Sequence, residues 1–178
     1  SRMLELVRTS SLSHYQMTSA SKGALHVPPA EMLEILVYIA EHNRIFGDQA
    51  RMTLAAWDEA SAKVIAMNRS TAPEILDYWL SAKNIRPALL PLLLENPSAH
   101  VSKISELAAT VKGELADVMI ASPRVRASRQ LLNDLAGNVN LSGAQTARVR
   151  ALLELEAAPA KEAEPGVKAA EAVSEPMQ

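Results

Sequence analysis

Apolar residues recur at one fixed interval between residues 65 and 135. Two sets of positions repeat every 28 residues: Leu76, Ile104 and Leu132, and then Trp79, Leu107 and Leu135. Each copy contains an apolar helical run, a polar turn, and a second, shorter helix. A period of about 20 to 50 residues is typical of stacked helical units, because no single unit can bury its apolar face alone. The pattern predicts an all-α fold, a short α-solenoid of stacked helix pairs.

The region before this repeat also has helical periodicity. Leu33, Leu36, Val37 and Ala40 follow the i, i+3, i+4, i+7 spacing of a helix with one buried face. The segment Val27-Pro28-Pro29 precedes them, and proline suits the first turn because its missing donor has no helical partner there. The sequence therefore predicts a helix that starts near Pro29.

Turn and cap signals divide the following residues. Gly47-Asp48 breaks the first helix and starts another, and Ser70-Thr71-Ala72-Pro73-Glu74 starts a third, with Ser70 or Thr71 as the expected cap. Pro91 would remove a backbone hydrogen bond from a continuous helix, so we expect a kink or a late start there. Val149 and Leu152 lie 73 residues after Leu76 and Trp79, which predicts a truncated last copy.

These signals define three regions. Residues 1–27 are rich in Ser and Thr with irregular apolar spacing, and we expect a flexible segment there, with at most a short helix near residues 3–8. Residues 28–156 form the predicted helical-repeat domain. Residues 157–178 are rich in Ala, Pro and Glu and poor in large apolar side chains, which predicts a disordered linker or tail. Such a linker suggests that the natural protein continues into another domain.

Composition narrows the class of protein. Aromatic residues make up only 3% of the 178 residues, so aliphatic side chains and Ala must fill the core, as in close helix packing. The absence of Cys excludes disulfides, thiolate catalysis and Cys-based metal sites. No apolar stretch reaches the roughly 18 residues of a membrane span, so we expect a cytoplasmic protein without membrane contact.

One stretch resembles a known family. The segment from Ala66 to Leu76, with its Asn68 helix end and its Thr-Ala-Pro start, is similar to the bacterial leucine-rich-repeat variant, and Leu94-Glu95-Asn96-Pro97-Ser98 looks like a second instance. The wider relatives of that family are HEAT-like helical repeats. The resemblance implies right-handed stacking of the helix pairs and a role in binding partner macromolecules.

Candidate chemistry is sparse. His14, His26, His42 and His100 are scattered without i, i+4 pairing or acidic partners at ligand spacing, so we expect no metal site. No phosphate-binding glycine loop and no nucleophile motif occurs. We therefore predict no enzyme, no catalytic residue and no cofactor, while noting that a catalytic site can assemble from residues far apart in sequence.

A cluster of arginines is the strongest charge asymmetry. The segment from residue 121 to residue 150 holds five arginines against a single acid, Asp134: Arg124, Arg126, Arg129, Arg148 and Arg150. Guanidinium groups suit phosphates and carboxylates, so this region is a candidate site for nucleic acid, an anionic nucleotide or an acidic peptide. The alternative is a solvated basic face neutralised by the acidic tail.

Two aromatic residues are candidates for partner contact. Trp57 precedes a helix start and Tyr78 flanks a periodic position, so we expect exposed binding anchors there, whereas Trp79 lies on the periodic face and should be core. We predict a non-enzymatic protein-interaction module, a scaffold, adaptor or regulatory domain. Polyanion binding through the arginines is the alternative function.

Overall fold

The computed structural model describes residues 2–155, and within this range it contains helices and no strand. The all-α prediction is therefore confirmed for the described part of the chain. The helices are α1 (Arg2–Arg8), α2 (His14–Ser21), α3 (Pro29–His42), α4 (Gly47–Ala55), α5 (Glu59–Met67), α6 (Pro73–Leu80), α7 (Leu90–Glu95), α8 (Val101–Ala108), α9 (Gly113–Ala121), α10 (Pro123–Arg126), α11 (Arg129–Ala136) and α12 (residues 143–155). The predicted linker over 157–178 lies outside the described residues.

Several helices begin where the sequence predicts. Proline occupies the first turn of α3 and α6, and Pro91 occupies the first turn of α7, which is the late start expected from that residue. Asp58 caps α5 by accepting a hydrogen bond from the Ser61 amide at 2.8 Å. The expected cap of α6 is wrong, because Thr71 instead donates from its side chain to the backbone oxygen of Ile65.

The amino-terminal region is ordered into two helices, in contrast to the flexible segment predicted over 1–27. Ser13 accepts from the Gln16 amide, and the Gln16 side chain accepts from the Ser13 amide, which forms a capping box for α2. Apolar residues spaced by three, such as Leu4 and Val7, are buried where α1 contacts α3. The Ser-rich composition did not predict α2, because serine is as typical of a loop as of the helix cap that Ser13 provides.

The chain divides into two compact units, the first ending at Leu107 and the second beginning at Ala108. This boundary falls inside the predicted domain over 28–156. In the first unit, α3 contacts α1, α2, α4 and α6, and α7 contacts α5 and α6. Leu33, Leu36, Val37 and Ala40 of α3 are all buried, as their spacing predicts.

The positions that repeat every 28 residues are buried in both units. Leu76 and Trp79 lie in α6, Ile104 and Leu107 in α8, and Leu132 and Leu135 in α11, and none of these side chains is more than 3% exposed. Apolar burial at equivalent positions of three helices is what a repeated helical unit requires.

The same asparagine turn follows α3, α5, α7 and α11, and in the first of these the side-chain oxygen of Asn43 accepts from the Ile45 amide at 2.9 Å. The side-chain oxygen of Asn68 accepts from the Ser70 amide at 2.8 Å, that of Asn96 from the Ser98 amide at 2.9 Å, and that of Asn138 from the Asn140 amide at 2.8 Å. Asn readily forms such turns because its side chain mimics a backbone carbonyl. Asn68 and Asn96 precede helices that carry the periodic residues, whereas Asn138 follows one.

The second unit has its own core. The short helix α10 contacts α9 and α11, and the buried side chains include Met119, Ile120, Val125 and Val149. Asn138 is 4% exposed and donates to the backbone oxygens of Ala108 at 2.9 Å and Val111 at 2.7 Å. Among the described residues, none of the helices has the length and apolar character that crossing a bilayer requires.

Candidate functional site

The first unit contains a cleft of about 350 Å³. Its walls come from α1, α3, α6, the segment after α6 and α8. Side chains of α3 reach it from positions 34, 37, 38, 41 and 42, and those of α6 from positions 74, 77 and 78. This spacing places them on one face of each helix, because helical residues three and four apart are neighbours. The cleft therefore lies between two regular helix faces.

Tyr38 lies between two other side chains of the cleft. The His42 ring stacks on the Tyr38 ring with centroids 4.4 Å apart and an interplanar angle of 15°. The Arg8 guanidinium carbon is 5.7 Å from the centre of the same ring, within cation–π distance. His42 Nδ1 lies 3.2 Å from the Tyr38 backbone oxygen. These contacts fix the orientation of the Tyr38 side chain.

Tyr78 forms another part of the wall and is only 6% exposed. Burial raises the pKa of its hydroxyl, because a phenolate would lose hydration there, and the nearby Glu41 carboxylate raises it further. Arg51 opposes both effects. Arg51 itself donates to the Asp48 carboxylate, and this hydrogen bond raises the pKa of the guanidinium. Tyr78 is therefore a neutral side chain at ordinary pH.

The charged groups of the cleft fall into a paired set and an unpaired set. The paired groups are Arg8 with Glu5 at 3.9 Å, Asp77 with His100 at 3.1 Å, and Lys103 with Glu106 at 3.3 Å. Within residues 2–155, the lining groups that form no salt bridge are three carboxylates and one amine: Glu34, Glu41, Glu74 and Lys83. The unpaired charge of the cleft is therefore negative.

Comparisons with known proteins name no relative. No family model matches the chain, and no curated protein and no solved structure matches it either. The resemblance of residues 66–76 to a helical-repeat family therefore stays a prediction, supported only by the helical fold.

The two aromatic residues expected at a binding surface lie in different places. Tyr78 lines the cleft, but it is buried and not exposed as the sequence suggested. Trp57 is half-buried, lines a separate cavity with Lys22 and Met52, and donates from Nε1 to the Ser61 hydroxyl at 3.3 Å. Trp79 is 1% exposed and belongs to the core, as expected.

The five arginines lie on three helices of the second unit: Arg124 and Arg126 on α10, Arg129 on α11, and Arg148 and Arg150 on α12. Arg124 is half-buried and the other four are exposed. Arg126 donates from Nε to the Ile120 backbone oxygen at 2.9 Å, and Arg148 pairs with Asp117 at 3.8 Å. Arg124 has a partner as well, so three of the five are engaged within the protein, and anion binding by the set stays a prediction.

The described residues offer little for metal chemistry. Across positions 2–155, no group of three or more His, Asp or Glu side chains is arranged to hold a metal ion. Asp77 and His100 do pair across 23 residues of sequence, on partly exposed side chains.

Sequence reasoning missed most of the cleft. Tyr38, Glu34 and Glu41 lie on the polar edge of α3, and nothing in their local pattern separates them from ordinary surface residues. The available signal was the rarity of tyrosine, since only three occur and two of them line this cleft.

Proposed function

We propose that the chain is a cytoplasmic protein-interaction module of the helical-repeat type, an α-solenoid that binds a segment of a protein partner in the cleft between α3 and α6. The 28-residue period, the burial of its six apolar positions and the resemblance to HEAT-like repeats support the architecture. Solenoids commonly present helix faces as binding surfaces.

The unpaired negative charge of the cleft indicates which kind of partner it binds. Glu34, Glu41 and Glu74 form no salt bridge within residues 2–155, whereas most of the cationic side chains beside them are already paired. Complementary charge favours a partner segment that brings a lysine or arginine side chain to these carboxylates. Tyr38 and Tyr78 supply the aromatic surface that protein interfaces favour.

Selection from a library of random short peptides tests this proposal with the full chain as bait. We expect enriched peptides to contain Lys or Arg, and their binding to weaken with rising salt because the attraction is electrostatic. The triple variant Glu34→Gln, Glu41→Gln, Glu74→Gln should lose the enriched peptides. The control Glu95→Gln makes the same change at an exposed carboxylate outside the cleft and should retain them. Enrichment of peptides without cationic residues, or full retention by the triple variant, would contradict the proposal.

Polyanion binding by the second unit is the other candidate function. Arg129 and Arg150 are exposed and form no salt bridge within residues 2–155, so both guanidinium groups are free to meet phosphates. Filter binding of single-stranded and duplex DNA at low salt tests this candidate. We expect affinity that falls steeply with salt and that drops when Arg124, Arg126 and Arg129 are changed together to Gln. No retention at low salt would exclude it.

A further inference from the structure

A further cavity of about 350 Å³ lies in the first unit, between α4, the end of α6 and the segment that follows α6. Its apolar wall includes Met52, Leu54, Trp79 and Ile85, and Leu54 and Trp79 are each only 1% exposed. A cavity of this size is at the small end of the range that holds organic ligands. The wall therefore suits a compact apolar body.

The polar side of this cavity carries one sign of charge. The charged residues that line it are Arg51, Lys83 and Arg86, with no carboxylate among them. Arg51 is satisfied, because it donates to Asp48 and to the Ala40 backbone oxygen. Lys83 and Arg86 form no salt bridge within the described residues. Two cationic groups thus remain available to an anion.

Two residues of the cavity wall carry buried hydrogen-bond donors without acceptors. In the described part of the chain, the buried side-chain nitrogens without a hydrogen-bond partner are Asn84 Nδ2 and Arg86 Nη1, and both residues line the cavity. Buried donors are nearly always paired, and a guanidinium keeps its charge throughout the ordinary pH range. Both nitrogens are themselves buried, so an anion in the cavity would become their acceptor when the two side chains turn toward it.

We propose that this cavity binds an organic oxyanion carried on an apolar body, in the first place a carboxylate. The oxyanion would accept from Asn84 Nδ2 and Arg86 Nη1, and the apolar body would pack against Trp79 and Ile85. This inference goes beyond the proposed peptide binding, because the ligand is a small molecule and the cavity is a separate one. Tyr78 and Lys83 line both cavities, but Asn84 and Arg86 line only this one.

Tryptophan fluorescence provides the assay. The chain has two tryptophans, so Trp57→Phe leaves Trp79, a wall residue, as the single reporter. Octanoate, octyl phosphate and octanol are titrated into this full-length variant. We expect a saturable change with octanoate and an affinity for octanol about tenfold weaker, because octanol lacks the charge. The phosphate distinguishes a general oxyanion site from one that prefers a carboxylate.

Two variants locate the anion. Arg86→Met and Asn84→Leu should each lower octanoate affinity by about tenfold, since each removes one donor. Their octanol affinity should stay unchanged, which shows that the cavity is intact. Arg69→Met and Asn68→Leu make the same changes at exposed positions outside the cavity and should leave octanoate affinity unaltered.

Three results would overturn the proposal: equal affinity for octanoate and octanol, full octanoate affinity in both cavity variants, or no response of Trp79 to any probe. Each is distinct from failure of the peptide selection, because Glu34 and Glu74 line only the cleft.

Discussion

The side-chain amide of Asn96 donates a hydrogen bond to the backbone oxygen of Asn68 at 3.0 Å, across 28 residues of sequence. It also donates to the Ala66 backbone oxygen at 2.7 Å, while its side-chain oxygen accepts from the Ser98 amide. The asparagine turn at Asn96 is thus hydrogen-bonded to the equivalent turn at Asn68, in the preceding copy of the repeat. The 28 residues that separate Asn68 from Asn96 equal the period of the buried apolar residues.

Replacing Asn96 should destabilise the first unit. Asn96 is 2% exposed, and Asn96→Ala leaves buried backbone groups without partners, so we expect a loss of about 3 kcal/mol in the free energy of unfolding. Asn68→Ala removes the equivalent but exposed side chain and should cost under about 1 kcal/mol. Urea unfolding followed by tryptophan fluorescence measures both, because Trp57 and Trp79 lie in the first unit. Similar losses for the two variants would refute the bridging role of Asn96.

Substitutions at two glycines allow the cost of backbone strain to be measured apart from the cost of steric crowding. Gly23 and Gly113 have φ values of +73° and +62°, a region that strains any other residue. Nothing lies within 4 Å of a Cβ at Gly113, so Gly113→Ala should cost about 1 kcal/mol from strain alone. A Cβ at Gly23 would be 3.1 Å from the Trp57 ring and 3.2 Å from Thr53 Cγ2, which should add about 1 kcal/mol or more. Urea unfolding followed by far-ultraviolet circular dichroism measures the loss in the free energy of unfolding for Gly23→Ala and Gly113→Ala. A greater loss for Gly113→Ala would show that the contacts at Gly23 are unimportant.

The buried Tyr78 hydroxyl makes the free energy of unfolding depend on pH in the alkaline range. Because its pKa is raised in the folded state, the unfolded chain loses this proton first, at the ordinary tyrosine pKa of about 10. Tyr78 therefore has no effect on the pH dependence below about pH 10, and the free energy of unfolding falls as the pH rises above that value. We expect Tyr78→Phe to make this fall shallower.

Urea unfolding at a series of alkaline pH values measures this effect. Tyr15→Phe is the matched control, because the Tyr15 side chain is 80% exposed. It should leave the alkaline fall of the parent chain in place. The same steepness in the parent chain and in Tyr78→Phe would contradict the assignment.

The unpartnered donor of Asn84 should lower stability when no ligand is bound. Asn84→Leu removes a buried, unsatisfied amide, so we expect the free energy of unfolding to rise by up to about 1 kcal/mol. Asn43→Leu is the contrasting change, because the Asn43 side-chain oxygen accepts from the amides of Ile45 and Phe46. It should cost about 1 kcal/mol. Urea unfolding compares them, and a clear loss of stability in Asn84→Leu would show that Asn84 has a structural role.

The sequence predicts those helices whose apolar faces are long and regular. The spacing of Leu33, Leu36 and Val37 located α3, and the repeat located Leu76 and Ile104 in the core. It indicated a short helix near residues 3–8, where α1 lies, but it did not reveal α2, because a helix of eight residues offers too few apolar positions for a period to be recognised. The formation of α1 and α2 depends on a cap at Ser13 and on contacts with α3.

The candidate sites were less predictable than the fold. Tyr38 and Tyr78 come together because α3 contacts α6, which is a tertiary relationship that no local pattern contains. Asn84 and Arg86 lie in a connecting segment, where burial of one nitrogen atom depends on the elements packed around it. Side chains on irregular segments have no periodicity from which burial can be read.

Tyr78 and Lys83 form part of the wall of the cleft and also of the cavity lined by Asn84 and Arg86. A rotamer change that suits an occupant on one side of these residues alters the shape of the space on the other side. Two ligands would therefore be thermodynamically coupled, with either cooperation or antagonism as the outcome. Since such coupling is reciprocal, a small anion that changed peptide affinity by a given factor would have its own affinity changed by the same factor.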